Sequence, residues 1–290
     1  MKFYNLFFLP LFLFALISCD SDDDATLSGE PGTVALKFDN IAPSSTSDDN
    51  VNLVLLEPGS TTFAYRNDMD QEFNVTVLKY LISEVKLTGP NGEEFINPME
   101  ITADDAKGYY LVDQKNLLTS GRFSLSDVPA GTYDQISFTV GVEEEGVAEG
   151  AAGGVLSQGN GARDADMFWN WNVGYQAIRM EGFAPASPAD GEQVAAFGES
   201  VNETDVDGFA FHVGGWANPN NNREVTIEID PITVAANTAP EIHLVFDVSE
   251  FLGGINDIDF SKTFNVHSPT SAEPLANNAA RAFKFDHIHN

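Results

Sequence analysis

Phe73-Asn74-Val75-Thr76-Val77-Leu78-Lys79-Tyr80-Leu81-Ile82-Ser83-Glu84-Val85-Lys86-Leu87 runs into Gly89-Pro90-Asn91-Gly92 and then Glu93-Glu94-Phe95-Ile96. Phe73, Val75 and Val77 recur at every second position, the period of a strand with one buried face. The Asn-Gly pair favours a tight turn, so the segment predicts a β-hairpin. The same reading extends in both directions. Val34, Leu36 and Phe38 alternate upstream, and Tyr109 to Val112 and Arg122 to Leu125 follow downstream. The Pro129-Ala130-Gly131 turn leads into Tyr133 to Val142, with Ile136, Phe138, Val140 and Val142 expected on one face. Further strands are expected near Phe168 to Met180, Phe209 to Val213, Glu224 to Ile229, Ile242 to Val248 and Ala282 to His289. Only Val248 to Leu252 and Leu275 to Arg281 suit helix. Many short strands separated by turn residues predict an all-β fold, an antiparallel sandwich or barrel with long loops and little helix.

At the amino terminus Lys2 precedes an apolar stretch from Phe3 to Ile17, closed by Leu16-Ile17-Ser18-Cys19. This order predicts a signal peptide over residues 1–18 with a lipobox, and lipidation of Cys19. The apolar run is shorter than the ~20 residues a membrane-crossing helix needs, and Pro10 interrupts it. Diacylglycerol on Cys19 and acylation of its amine would together supply the hydrophobic anchor. Asp20-Ser21-Asp22-Asp23-Asp24 follows at once. Residues 19–31 read as an acidic linker, and residues 32–290 as the β domain. The acidic run resembles the tag of surface-exposed lipoproteins of Bacteroidota, which implies the outer membrane and its outer face in preference to a periplasm-facing anchor.

The chain carries 44 acidic and 14 basic residues, a formal net charge of −30. Nucleic acid is excluded as a partner, because phosphate contacts draw on clustered Lys and Arg. Anionic lipid headgroups are disfavoured for the same reason, which leaves cations, neutral ligands or a basic protein. Cys19 is the only cysteine. Once it is lipidated the mature chain has neither disulfide nor thiolate, so a transition-metal site must be built from His, carboxylate, Met or something unusual.

No Gly-x-Ser-x-Gly, His-Glu-x-x-His or Cys-His arrangement occurs, and the reading is of a binding protein, not an enzyme. The glycine-rich loop over residues 143–166 lacks the Gly-Lys-Ser/Thr signature of a phosphate cradle. Two constellations rise above this background. In His287-Ile288-His289 the imidazoles are two apart, so in a strand they share a face and could hold a metal ion; the same period places Phe283 and Phe285 with them. Met167-Phe168-Trp169-Asn170-Trp171-Asn172-Val173-Gly174-Tyr175 holds two of the three tryptophans, Trp169 and Trp171, with Asn170 and Asn172 on the opposite strand face. On pattern alone an aromatic cluster in a sandwich core is the favoured reading. His212 should face away from Phe209 and Phe211, and Gly214-Gly215-Trp216 behind it could bring backbone close to a ligand.

The tryptophan segment followed by Glu181-Gly182 resembles the signature of the MbnP-like proteins, copper-binding envelope proteins associated with methanobactin and with MauG-like dihaem partners. Val128-Pro129-Ala130-Gly131-Thr132-Tyr133, Phe211-His212-Val213-Gly214-Gly215 and Phe285-Asp286-His287-Ile288-His289-Asn290 agree with family blocks in the family's order. Gly141-Val142-Glu143-Glu144-Glu145 departs from it, since an Asp and an Asn are expected there. The resemblance implies an immunoglobulin-like or related β-sandwich that binds Cu(I) or Cu(II) for uptake or homeostasis, in some members through a tryptophan oxidised to kynurenine. It implies as partners a dihaem protein of the MauG or cytochrome c peroxidase kind and, at the outer membrane, a TonB-dependent receptor. Carried onto this chain, it makes Trp169 the first choice for the modified residue and Trp171 the second. His212 is then the leading imidazole ligand, and His287 and His289 are secondary. Some members have histidine where Trp171 stands, so one familiar ligand is missing. The alternative is a calcium-dependent surface adhesion lipoprotein, whose acidic loops would supply hard oxygen ligands.

Overall fold

A computed structural model describes residues 29–57, 60, 62–148, 154–157, 167–170, 173–188 and 208–290. The signal segment, Cys19, most of the acidic linker, Trp171 and Asn172 lie outside the described residues, as does the side chain of Asn170. The strands begin with β1 (Gly32–Pro43), β2 (Asn50–Asn52), β3 (Tyr65–Arg66), β4 (Glu72–Thr88), β5 (Glu94–Ile96), β6 (Glu100–Ile101), β7 (Ala106–Lys107) and β8 (Tyr110–Asp113). They continue with β9 (Arg122–Val128), β10 (Gly131–Val140), β11 (Phe168–Asn170), β12 (Gly174–Phe183) and β13 (Gly208–Gly214). The last are β14 (Arg223–Val234), β15 (Glu241–Asp247), β16 (Asn265–Val266) and β17 (Phe283–His289).

The fold is the expected all-β sandwich. One sheet runs β17-β15-β1-β2, with β9 also against β1; the larger runs β14-β10-β4-β12-β13-β16, with β3, β5, β8 and β11 attached to it. The predicted hairpin is β4 with β5, where Leu87 lies opposite Phe95. The 17-residue β4 is the spine of the larger sheet. Its first half pairs with β12 (Leu78 opposite Met180) and its second with β10 (Leu87 opposite Ile136). Most pairings are antiparallel, but β1 runs parallel to β15 and β13 parallel to β16. Parallel neighbours need a long crossover, so they join segments far apart in sequence.

Aromatic rings from both sheets fill the space between them. Phe283 of β17 meets Phe38 of β1 at 6.2 Å, Tyr80 of β4 at 5.3 Å, Phe138 of β10 at 5.3 Å and Phe246 of β15 at 5.0 Å, mostly edge to face. This geometry suits the ring quadrupoles. The Tyr80 hydroxyl donates to Asn40 Oδ1 at 3.0 Å, so the polar tip is satisfied inside the core. A second, smaller core gathers Leu81, Ala106, Tyr109, Val142, Val147, Leu156, Met167 and Tyr175. Tyr175 ties β12 into it, while Ile178 and Met180 of β12 and Phe209, Phe211 and Val213 of β13 belong to the main core; both strands are buried at every residue.

Three expectations need correction. β10 ends at Val140 because Gly141 takes φ 128°, and Val142 joins the second core instead of the face shared by Ile136, Phe138 and Val140. Phe168 to Met180 is not one strand but two, β11 and β12, paired antiparallel with Phe168 opposite Tyr175 and Asn170 opposite Gly174. The helix expected over Leu275 to Arg281 begins earlier and spans Pro269–Ala282. Ser268 caps it by accepting from the Ser271 N–H at 3.3 Å, and Pro269 occupies the first turn, where its missing N–H costs nothing. The helix Val248–Gly253 matches its expected position.

Since Phe283 touches four rings and is 4% exposed, Phe283→Ala should cost about 3–5 kcal/mol of stability. A fall in the urea midpoint at unchanged slope would show it.

Candidate metal centre

On β12, Arg179 and Glu181 are two apart and share a face. The ladder sets Arg179 opposite His212 of β13 and Glu181 opposite Ala210. Phe209, Phe211 and Val213 point into the main core, so alternation turns His212 away from them, as expected. The result is a compact polar node inside a doubly buried sheet. Glu181 Oε1 accepts from Arg179 Nε at 2.8 Å and faces Arg179 Nη2 at 2.8 Å and His212 Nε2 at 2.7 Å. Glu181 has no exposed side-chain surface, and Arg179 and His212 almost none. Burial by itself would raise the Glu181 carboxyl; the hydrogen bond from His212 and the charge of Arg179 outweigh it and hold the group below the usual carboxylate range.

This pairing fixes the His212 tautomer. An ionised carboxylate only accepts, so Nε2 carries the proton and Nδ1 of a neutral ring keeps its lone pair. That Nδ1 lies 2.8 Å from Nδ1 of His267. β16 explains the meeting: it runs parallel to β13 with Phe211 opposite Val266, so the next step along both chains brings His212 beside His267. His267 is held below its ordinary value, first by the partial desolvation of its ring and, with His212 neutral, then by the nearby charge of Arg179, both of which favour the neutral imidazole. Trp169 stands edge to face with His267, ring centroids 6.2 Å apart, with its indole Nε1 buried and without a hydrogen-bond partner. Two imidazole nitrogens, one backed by a buried carboxylate, fit a metal that prefers nitrogen donors, and the Trp169 ring stands next to one of them.

The structure thus brings Trp169 and His212 together around His267. It places His287 and His289 on the other sheet, against His243: the ring centroids of His243 lie 4.2 Å from His287 and 4.6 Å from His289. His287 and His289 also leave the face of Phe283 and Phe285, contrary to the even period. Leu244 faces Phe285 and His243 faces His287, so Asp286 is the extra residue of a β-bulge that reverses the alternation. The two histidines are exposed. The Gly214-Gly215 turn brings backbone close to backbone, since a Cβ on Gly214 would stand 2.4 Å from the Ala177 nitrogen. Gly215 N–H and Trp216 N–H donate to Tyr175 and Val173 carbonyls at 3.0 and 3.1 Å, which locks β13 to the tryptophan hairpin.

Sequence reasoning missed His267 and His243. His267 carries no local signal, being a lone histidine before Ser268-Pro269. His243 did have one, since it faces opposite to Ile242 and Leu244 in a strand already identified. Glu181 was noted for its place in a motif, without a role. Among the described residues, His243, His287 and His289 are the one group of three histidine or acidic side chains whose ligand atoms all lie within 4.8 Å of one another. No comparable group of carboxylates supports the calcium alternative there.

The depressed His267 sets a pH dependence. A histidine whose folded value lies below its unfolded one takes up its proton more readily when unfolded, so stability is full above about pH 6.5 and falls as pH drops below it. Thermal unfolding of the metal-free protein between pH 7.5 and 5.5 should show this loss, and His267→Asn should flatten it.

The MbnP family model matches residues 31–271. Among solved structures the chain is similar to MbnP from Methylosinus trichosporium, at 13% identity over 78% of this chain and 79% of that one, with a TM-score of 0.46. No curated protein matches.

Proposed function

This chain belongs to the MbnP family, and on that premise we propose that it is an exported copper-binding lipoprotein whose copper is held between Trp169, His212 and His267. The observation that carries the reading is the 2.8 Å approach of two imidazole Nδ1 atoms, one of them backed by Glu181. A carboxylate on the far nitrogen of a ligand histidine fixes the ring and raises its basicity, and such partners are worth 10- to 100-fold in metal affinity. Bound copper would take the place of the proton shared by the two imidazoles. His212 keeps its Nε2–H on Glu181, while His267 can move its proton to the other ring nitrogen.

Trp169 enters through its orphaned nitrogen. An indole N–H has no lone pair to give. Two oxygen atoms from an oxidant delivered by a dihaem partner would add across the Cγ–Cδ1 bond and cleave it, and hydrolysis would then release the former Cδ1 as formate. The product is kynurenine, whose aromatic amine has a lone pair free for copper. Trp171, outside the described residues, is the second candidate for this change. The protein is read as a copper carrier without catalytic activity, which passes its cargo to or from a TonB-dependent receptor.

Protein co-expressed with its dihaem partner should carry about one copper per chain, and a Trp169 peptide heavier by about 4 Da, the mass of the conversion. His212→Ala and His267→Ala should each remove most of the copper, and Glu181→Gln should weaken binding by about 10- to 100-fold. Metal-free protein from that co-expression would dismiss the reading. The anchor has its own test: Cys19→Ala should shift the protein from the membrane fraction to the soluble one, with loss of fatty-acyl label.

A further inference from the structure

We propose that His243, His287 and His289 form a second metal site, for a divalent transition ion of the zinc or copper(II) class, on the outer face of the smaller sheet. This goes beyond the copper reading above and uses none of its residues. His287 and His289 also lie past the segment that matches the family model.

The site is assembled by strand register. β15 and β17 are antiparallel neighbours, with His243 opposite His287 and Glu241 opposite His289. The bulge at Asp286 brings both terminal imidazoles to the face that His243 occupies. All three rings pack on one another, the His287 and His289 centroids standing 4.7 Å apart. Imidazole nitrogens around a tetrahedral ion with bonds of about 2.0–2.1 Å lie about 3.3 Å from each other. Ligand atoms already within 4.8 Å need only side-chain rotation of the two exposed histidines to close that gap.

Carboxylates already orient two of the rings. Glu241 Oε1 lies 2.7 Å from His243 Nε2, so that nitrogen carries the proton and Nδ1 presents its lone pair. Arg122 pairs with the other oxygen of Glu241 and steadies it. Asp286 Oδ2 lies 2.9 Å from His287 Nδ1, which leaves Nε2 of that ring as the donor to a metal. These are the outer partners that ligand histidines ordinarily have.

A second observation points to a ligand. The His243 side chain is 5% exposed, and its Nδ1 is buried without a hydrogen-bond partner. A buried polar atom left in that state is costly, and a metal ion would satisfy it. Asp39 Oδ2, held by Lys37 at 3.0 Å, stands 3.9 Å from the same Nδ1, near enough to become a fourth ligand. The net charge of −30 favours arrival of a cation.

The test titrates the full mature chain, stripped of metal, with zinc, following the five histidine side chains by NMR with nitrogen-15 histidine and measuring affinity against a chromophoric chelator. The expected result is that His243, His287 and His289 shift together with the first equivalent. A His287→Ala/His289→Ala double variant should bind zinc at that site at least 100-fold more weakly. Because both terminal histidines are exposed, the double variant should fold. The wild-type spectra give the answer even where it does not. First-equivalent zinc that shifts His212 and His267 alone, or moves no histidine, would overturn the proposal. Neither outcome bears on whether co-expressed protein carries copper at Trp169.

Discussion

A fully buried carboxylate sets the terms for the larger sheet. Removing an ionised Glu181 from water is tolerable only with charge and hydrogen bonds to replace solvent. Arg179 supplies the charge from the same strand and His212 supplies a donor from the neighbouring one. Because one carboxylate oxygen meets all three donor nitrogens, the register of β12 against β13 is bound up with the protonation of His212. A slip by one residue would flip these side chains into the aromatic core and leave the carboxylate uncompensated. The chemistry of the site is therefore a consequence of strand pairing.

The two cores follow from the same sheet. One face of β4, β12 and β13 meets the smaller sheet through phenylalanine edges; the other is covered in part by the small cluster around Tyr109, Met167 and Tyr175. Tyr175 extends that cluster by donating its hydroxyl to the Leu156 carbonyl at 3.0 Å, tying in a segment of the glycine-rich loop. Tyr109 bonds Glu143 nearby, and burial with this neighbouring charge pushes the phenol far above its usual value. The tryptophan hairpin rests on this layer, which places Trp169 at the margin between apolar packing and the polar node.

Strands were legible because period-two patterning is local. Phe73 to Leu87, Phe209 to Val213 and Glu224 to Ile229 can each be read without knowledge of their partners. Partner choice is not local, and neither the parallel β1–β15 pair nor the two-residue β16 could be read in advance. His267 owes its position to that short parallel pairing, so no spacing rule reaches it. The bulge at Asp286 misled for a related reason: alternation assumes an unbroken ladder, and one extra residue inverts every side chain beyond it. The helix start was hidden by Pro274, which suggests a break yet sits in the second turn of Pro269–Ala282. Trp169 and His212 were legible as motif residues, but their relation through a third ring belongs to the fold.

The last strand has a further consequence. Among the described residues β17 pairs only with β15, and past its Phe283 anchor it holds on by an edge ladder of the kind that opens locally. An ion shared by His243, His287 and His289 would act as a staple across that ladder, fastening β17 to a strand in the middle of its sheet. Ligand occupancy would then be felt as resistance to the peeling of β17 from β15.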